Sequence, residues 1–228
     1  KVLGTSGQGY VFDHGQNNSF LVVNRLLNDG YEVEWLLGES SVSGWNPGAF
    51  YVSKDGLTQE TVELLTQASG VEFHSTNVPN GETLQLRKPR IALWDRYGGS
   101  MPSGWTRKIL EDFGFDFKVV FPQEFAAGHL SSKFDVIILE DGAVSPPTSG
   151  SGGQGGRGID PQTIPVEYQD RLGAITSDEG VPEILEFVDE GGVVIAIGGS
   201  AVLGYHAGLP IYDHLMEGER PVTRDEYF

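Results

Sequence analysis

The chain has no cysteine in 228 residues. Disulfides, thiolate catalysis and cysteine-ligated zinc are therefore excluded together, although a cysteine-free chain can work on either side of a membrane. Positive charge is scarce too: 15 Lys and Arg stand against 32 Asp and Glu, a formal net charge of −17 at pH 7. Such a surface repels phosphate backbones and anionic headgroups, so nucleic acid and membrane surfaces are poor partners. No apolar run approaches the ~20 residues that cross a bilayer, and the first residues lack the basic, apolar and small-residue succession of a signal peptide. What is present, 39% hydrophobic residues with 11% aromatics, suffices for one large or two small cores. Both ends fall in running sequence, the second in the charged stretch 217–226, and the chain reads as a piece of a longer polypeptide.

Apolar runs of strand length alternate with helical stripes, the pattern of an α/β sheet. Strands are expected at 10–12, 33–36, 50–52 and 71–73. Between them fall a helix capped by Asn17 or Asn18 that ends at Asp29 and Gly30, and a second helix over 58–68. The polar stretch 75–89 marks a boundary, giving an amino-terminal α/β lobe over 1–88 and a main domain over 89–228. In the main domain, 91–94, 117–120, 136–139 and 193–197 read as near-continuous apolar strands. Ser103 can cap a helix whose Trp105, Ile109, Leu110 and Phe113 share a core face, and Val181, Ile184, Leu185 and Val188 stripe another. Four such strands with helical connections predict a doubly wound, mostly parallel sheet covered on both faces. The glycine-dense run 149–158 lacks the Gly-Lys-Ser/Thr ending of a phosphate loop and reads as a flexible insertion.

The candidate chemistry gathers at the predicted carboxyl ends of strands. After 193–197 comes Gly198-Gly199-Ser200-Ala201-Val202, a small-residue turn of the kind that holds a nucleophile in many α/β enzymes. Ser200 is the one nucleophile available there and His206 the nearest base, but Val202 stands where a nucleophile elbow has its second glycine, and Ser200 reads first as the cap of the following helix. Asp13, Asp95, Glu140 and Asp141 follow strands and could line a crevice for a hard divalent cation or a cationic ligand, or could simply satisfy turns. Glu140 could also activate a water. Arg96 and Arg107 flank a glycine-rich loop and could clamp a carboxylate. His14, His74 and His129 stand singly and receive no role. His214-Leu215-Met216-Glu217 spells a His-x-x-Glu pair, but no third histidine follows to complete a zinc site.

One context unites several of these segments. Pro89-Arg90-Ile91-Ala92-Leu93-Trp94, then Gly104-Trp105-Thr106-Arg107, then Phe134-Asp135-Val136-Ile137-Ile138-Leu139 and Phe187-Val188-Asp189-Glu190-Gly191-Gly192 resemble the carboxy-terminal domain of bacterial M14 zinc carboxypeptidase-like proteins. That domain is related to class I glutamine amidotransferases and to the DJ-1/PfpI group. The resemblance implies a flavodoxin-like sheet, an exported parent protein, and zinc held by a neighbouring peptidase domain of the same polypeptide that acts on peptides. It also implies that Gly198 stands where the relatives carry their nucleophilic Cys. A non-catalytic accessory domain is the expectation that follows, with a divergent hydrolase using Ser200 or a strand-end carboxylate, and a small-ligand-binding domain, as the alternatives.

Overall fold

The computed structural model describes residues 1–4, 6–37, 45, 47–146, 159–211, 216–217 and 220–221. The insertion expected at 149–158 and His214 lie outside these described residues. Two compact units form: Lys1–Pro89 with Thr106–Phe117, and Arg90–Trp105 with Lys118–Phe228.

The first unit contains β1 (Val2–Leu3), β2 (Gly9–Phe12), α1 (Asn17–Asn28), β3 (Val33–Leu36), β4 (Phe50–Ser53), α2 (Gln59–Ser69), β5 (Phe73–Thr76) and β6 (Thr83–Gln85). Its sheet runs β1-β5-β2-β4-β3-β6, with β1 parallel to β5 and the remaining pairings antiparallel. The mixture arises because β4 inserts between β2 and β3, which the crossover through α1 would otherwise leave as parallel neighbours. Alternation along β2 and β4 sorts the core into two faces. Tyr10, Phe12, Phe50 and Val52 pack with Val22, Leu26, Val62 and Leu65 of the two helices, while Val11 and Tyr51 pack with Leu36 and Ala49. Thr58 caps α2 by accepting from the Thr61 amide at 3.2 Å. The cap expected at Asn17 or Asn18 is not made: Gln16 takes the N-cap position without a side-chain bond, and the Asn18 amide instead donates to the Ser69 carbonyl at 2.7 Å. That bond satisfies a terminal carbonyl of α2, a use that only the packing of the two helices creates.

The second unit contains β7 (Ile91–Trp94), the first turn of α3 (Met101–Asp112), most of β8 (Phe117–Val120), α4 (Pro122–Ala126), α5 (Leu130–Lys133), β9 (Val136–Leu139), α6 (Val181–Asp189), β10 (Val193–Ala196) and α7 (Leu203–His206). The sheet order is β8-β7-β9-β10, and β7–β9 and β9–β10 are parallel. Numbered within the unit this is 2-1-3-4, the flavodoxin-like order of a doubly wound α/β sheet. Trp94, Ile137, Leu139, Ile184 and Phe187 make the core on the α6 side. Arg90 anchors the entry to β9: its guanidinium donates to both Asp135 carboxylate oxygens, at 3.1 and 3.0 Å, and to the carbonyls of Ser131, Ser132 and Phe134.

Two expectations about this unit fail. Ser103 does not cap α3 but lies inside it, buried, because the helix starts at Met101. Trp105 is not core: it is 67% exposed, in an i, i+4, i+8 row with Met101 and Ile109, which are also exposed. The buried positions of this helix are Ser103 and Leu110, one heptad apart, so the face that packs is a different stripe from the most hydrophobic one. The opposite face of the sheet is also incompletely covered. Leu93, Ile138 and Ile195 stand side by side in register, at 0%, 6% and 45% exposure, so cover on that face runs out at the edge strand β10.

Candidate functional site

The strand order reverses direction between β7 and β9, and ligands of open α/β sheets bind outside the carboxyl ends of strands at such a point. Asp95 follows β7, Glu140 and Asp141 follow β9, and Gly198 to Ser200 follow β10, so the parallel register brings these sequence-distant residues to one edge.

What they do there is internal. Ser200 is fully buried, and its hydroxyl donates to the Glu140 carbonyl at 2.5 Å while accepting from the amides of Ala143 at 2.9 Å and Val144 at 3.2 Å. It is therefore neither a poised nucleophile nor the cap of α7, whose N-cap position belongs to Val202. It pins the loop after β9 to the turn after β10. His206 is not the base for it: the His206 Nε2 lies 2.8 Å from the Ser145 carbonyl. A carbonyl can only accept, so Nε2 carries the proton, and the Ser200 hydroxyl gives its own to the Glu140 carbonyl rather than to the remaining ring nitrogen.

The turn itself has an unusual backbone. Gly198 adopts φ +59°, a left-handed conformation that β-carbon-bearing residues rarely enter, as a nucleophile elbow requires. A side chain at this position would have to displace the exposed Asp141 carboxylate, because a Cβ would come within 2.7 Å of Asp141 Oδ1. The same oxygen accepts from the Gly199 amide at 2.6 Å. In a nucleophile elbow the amide following the nucleophile is an oxyanion-hole donor. One carboxylate thus covers the ground a nucleophile would need and consumes the donor that would stabilise its intermediate. This role of Asp141 was not readable from sequence, where it was one of several strand-end acids.

The remaining candidates are placed as follows. Asp95 is buried and accepts from the Arg96 amide at 2.8 Å, and Glu140 is buried; both, like Arg107, are engaged in polar or charged interactions. Arg96 is exposed and folds back on its own loop, its Nε donating to the Gly99 carbonyl at 3.3 Å, so it does not reach out as a clamp. Arg107 lies in the part of α3 that belongs to the first unit. Among the described residues no group of three or more His, Asp or Glu is arranged to hold a metal ion, and no helix is long and apolar enough to cross a membrane.

Elsewhere in this unit, Arg171 lies over the rings of both Phe121 and Tyr168, at 4.9 and 4.7 Å. Lys133 donates to Glu124 at 2.8 Å, and this bond, ahead of the Lys118 charge, holds the Glu124 carboxyl below the usual carboxylate range against the opposing effect of burial.

No family model, curated protein or solved structure matches the chain.

Proposed function

We propose that this chain is a non-catalytic accessory domain of an M14-like zinc carboxypeptidase, with the zinc and the peptide hydrolysis belonging to a neighbouring domain of an exported polypeptide. The observation that supports the non-catalytic half of this reading is the Asp141 carboxylate on the Gly198-Gly199 turn, which occupies the place of a nucleophile's side chain and takes up the Gly199 amide, the candidate oxyanion donor. A Ser200 hydrolase is disfavoured because that hydroxyl is buried and spent on three backbone partners. The uncovered apolar residues Val193, Ile195 and Ile197 on β10 and the turn after it are consistent with a surface that a covalently linked neighbour covers.

The test compares this chain with the longer polypeptide. The chain alone is expected to give no hydrolysis of glutamine, p-nitrophenyl esters or carboxypeptidase substrates, and no stoichiometric zinc by elemental analysis, while the longer polypeptide shows both zinc and carboxypeptidase activity. Ester or amide turnover by the chain alone that Ser200→Ala abolishes without unfolding it overturns the non-catalytic reading. A longer polypeptide without zinc or carboxypeptidase activity overturns the assignment to that enzyme class.

A further inference from the structure

A cavity of about 460 Å³ lies within the first unit, lined by Asp13, Gln16, Ser19, Trp45, Glu72 and His74 together with the backbone turn at Gly70 and Val71. The antiparallel register of β2 and β5, which pairs Val11 with His74, carries Asp13 at the end of one strand alongside Glu72 at the start of the other. The Trp45 ring meets the His74 ring edge-on at 5.0 Å. Into this space opens the start of α1, a twelve-residue helix with no side-chain cap and no acidic residue in its first turn. The Ser19 amide donates to the Gln16 carbonyl at 3.0 Å, but no side-chain oxygen caps the terminal amides and no acidic residue of the first turn compensates the positive end of the dipole.

Ser19, the third residue of α1, supplies an independent indication. It is 1% exposed, lines the cavity, and its hydroxyl has no hydrogen-bond partner among the described residues, not even the carbonyl one turn earlier that helical serines commonly use. A buried hydroxyl without a partner is destabilising, and a ligand oxygen accepting from it removes that cost. The cavity thus offers hydrogen-bond donors at the first turn of α1 and negative charge at Asp13 and Glu72. Asp13 Oδ1 already accepts from the Gly15 amide at 3.1 Å, and its second oxygen is the one left for a ligand.

We infer that this cavity binds a small zwitterion, an amino acid or a dipeptide. The ligand carboxylate meets Ser19 and the first turn of α1, the ammonium lies between Asp13 and Glu72, and Trp45 packs against the rest of the ligand. A ligand with only one of the two charges satisfies only half of the site. The inference rests on these residues alone and stands apart from the accessory-domain reading.

The experiment is an amide-resolved NMR titration of the whole chain with L-alanine, L-alanyl-L-alanine, N-acetyl-L-alanine and L-alaninamide, each to about 10 mM. Either zwitterion is expected to move the amides of Gln16, Ser19, Glu72 and His74, with the two blocked compounds at least about tenfold weaker; which zwitterion binds tells a free amino acid from a peptide. Ser19→Ala is expected to weaken binding about tenfold while raising Tm by about 2–4 °C, because it deletes the unpaired hydroxyl from the empty site. A purely structural Ser19 would show no such opposition. Glu72→Gln is expected to weaken the zwitterion and to leave N-acetyl-L-alanine unchanged. No titration by either zwitterion, equal affinity for the blocked compounds, or unaltered affinity in both variants overturns the inference.

Discussion

Replacing Ser200 with Ala removes one oxygen from a fully buried position, and the consequence can be worked bond by bond. The Glu140 carbonyl loses the serine donor but keeps the Ala143 amide at 3.0 Å, and the Ala143 amide keeps that carbonyl. The Val144 amide loses the serine oxygen, to which it donates at 3.2 Å, and sits in a residue only 4% exposed. One orphaned buried donor costs about 1–3 kcal/mol, and loss of the bonds that retain alternative partners adds about 1 kcal/mol, so roughly 2–4 kcal/mol is expected. In urea unfolding this appears as a lower midpoint with an unchanged slope, and in thermal melts as a fall of roughly 5–15 °C. Ser200→Cys, which keeps a weak donor and acceptor, should fall between the two. A loss below about 0.5 kcal/mol for the alanine variant would refute the argument that this hydroxyl holds the two loops together.

Gly198→Ala should cost about 1–3 kcal/mol from its left-handed φ and the 2.7 Å approach to Asp141, and should be partly rescued by Asp141→Ala in a double-mutant cycle that reports the clash as a coupling energy. Arg90→Lys loses the fork that holds both Asp135 oxygens and three carbonyls, and is expected to lower stability by about 1–3 kcal/mol in chemical denaturation despite keeping the charge. The carboxyl of Glu124 is held low in the folded protein, so its ionised form contributes stability above the ordinary carboxylate range, and that contribution vanishes as pH falls through the lowered folded value. Glu124→Gln should therefore be less stable than the parent at neutral pH, by up to about 1 kcal/mol, and equal to it in strong acid, as pH-dependent melts would show.

Much of the secondary structure was legible because it rests on local rules. The strands at 33–36, 91–94, 117–120 and 136–139 are apolar runs bounded by turn residues, and their limits are those observed. The helix Val181–Asp189 followed from its stripe, with Pro182 in the first turn and Gly191, at φ +92°, just past the end. The caps were less legible. Asn18 and Ser103 are good capping residues, yet each was claimed by packing, Asn18 by the end of α2 and Ser103 by the interior of its own helix. Trp105 misled because a hydrophobic stripe names a face that could be buried and not the neighbour that buries it. The short helices Pro122–Ala126 and Leu130–Lys133 carry too few residues to establish a period.

The candidate site divides along the same line. Sequence alone determined that no cysteine chemistry is available, that the turn after the last strand of the parallel sheet is built of small residues, and that acids follow the strands. These are properties of composition and of neighbours along the chain. Tertiary structure alone decided that Asp141 lies on Gly198 and Gly199, 58 residues away from Gly199 in sequence, that Ser200 is spent on Glu140, Ala143 and Val144, and that Ser19 faces a cavity without a partner among the described residues. The reason is physical. A hydroxyl or carboxylate has no fixed role until a three-dimensional arrangement supplies its partners, and the register of parallel strands brings those partners together across stretches of chain that carry no local record of the meeting.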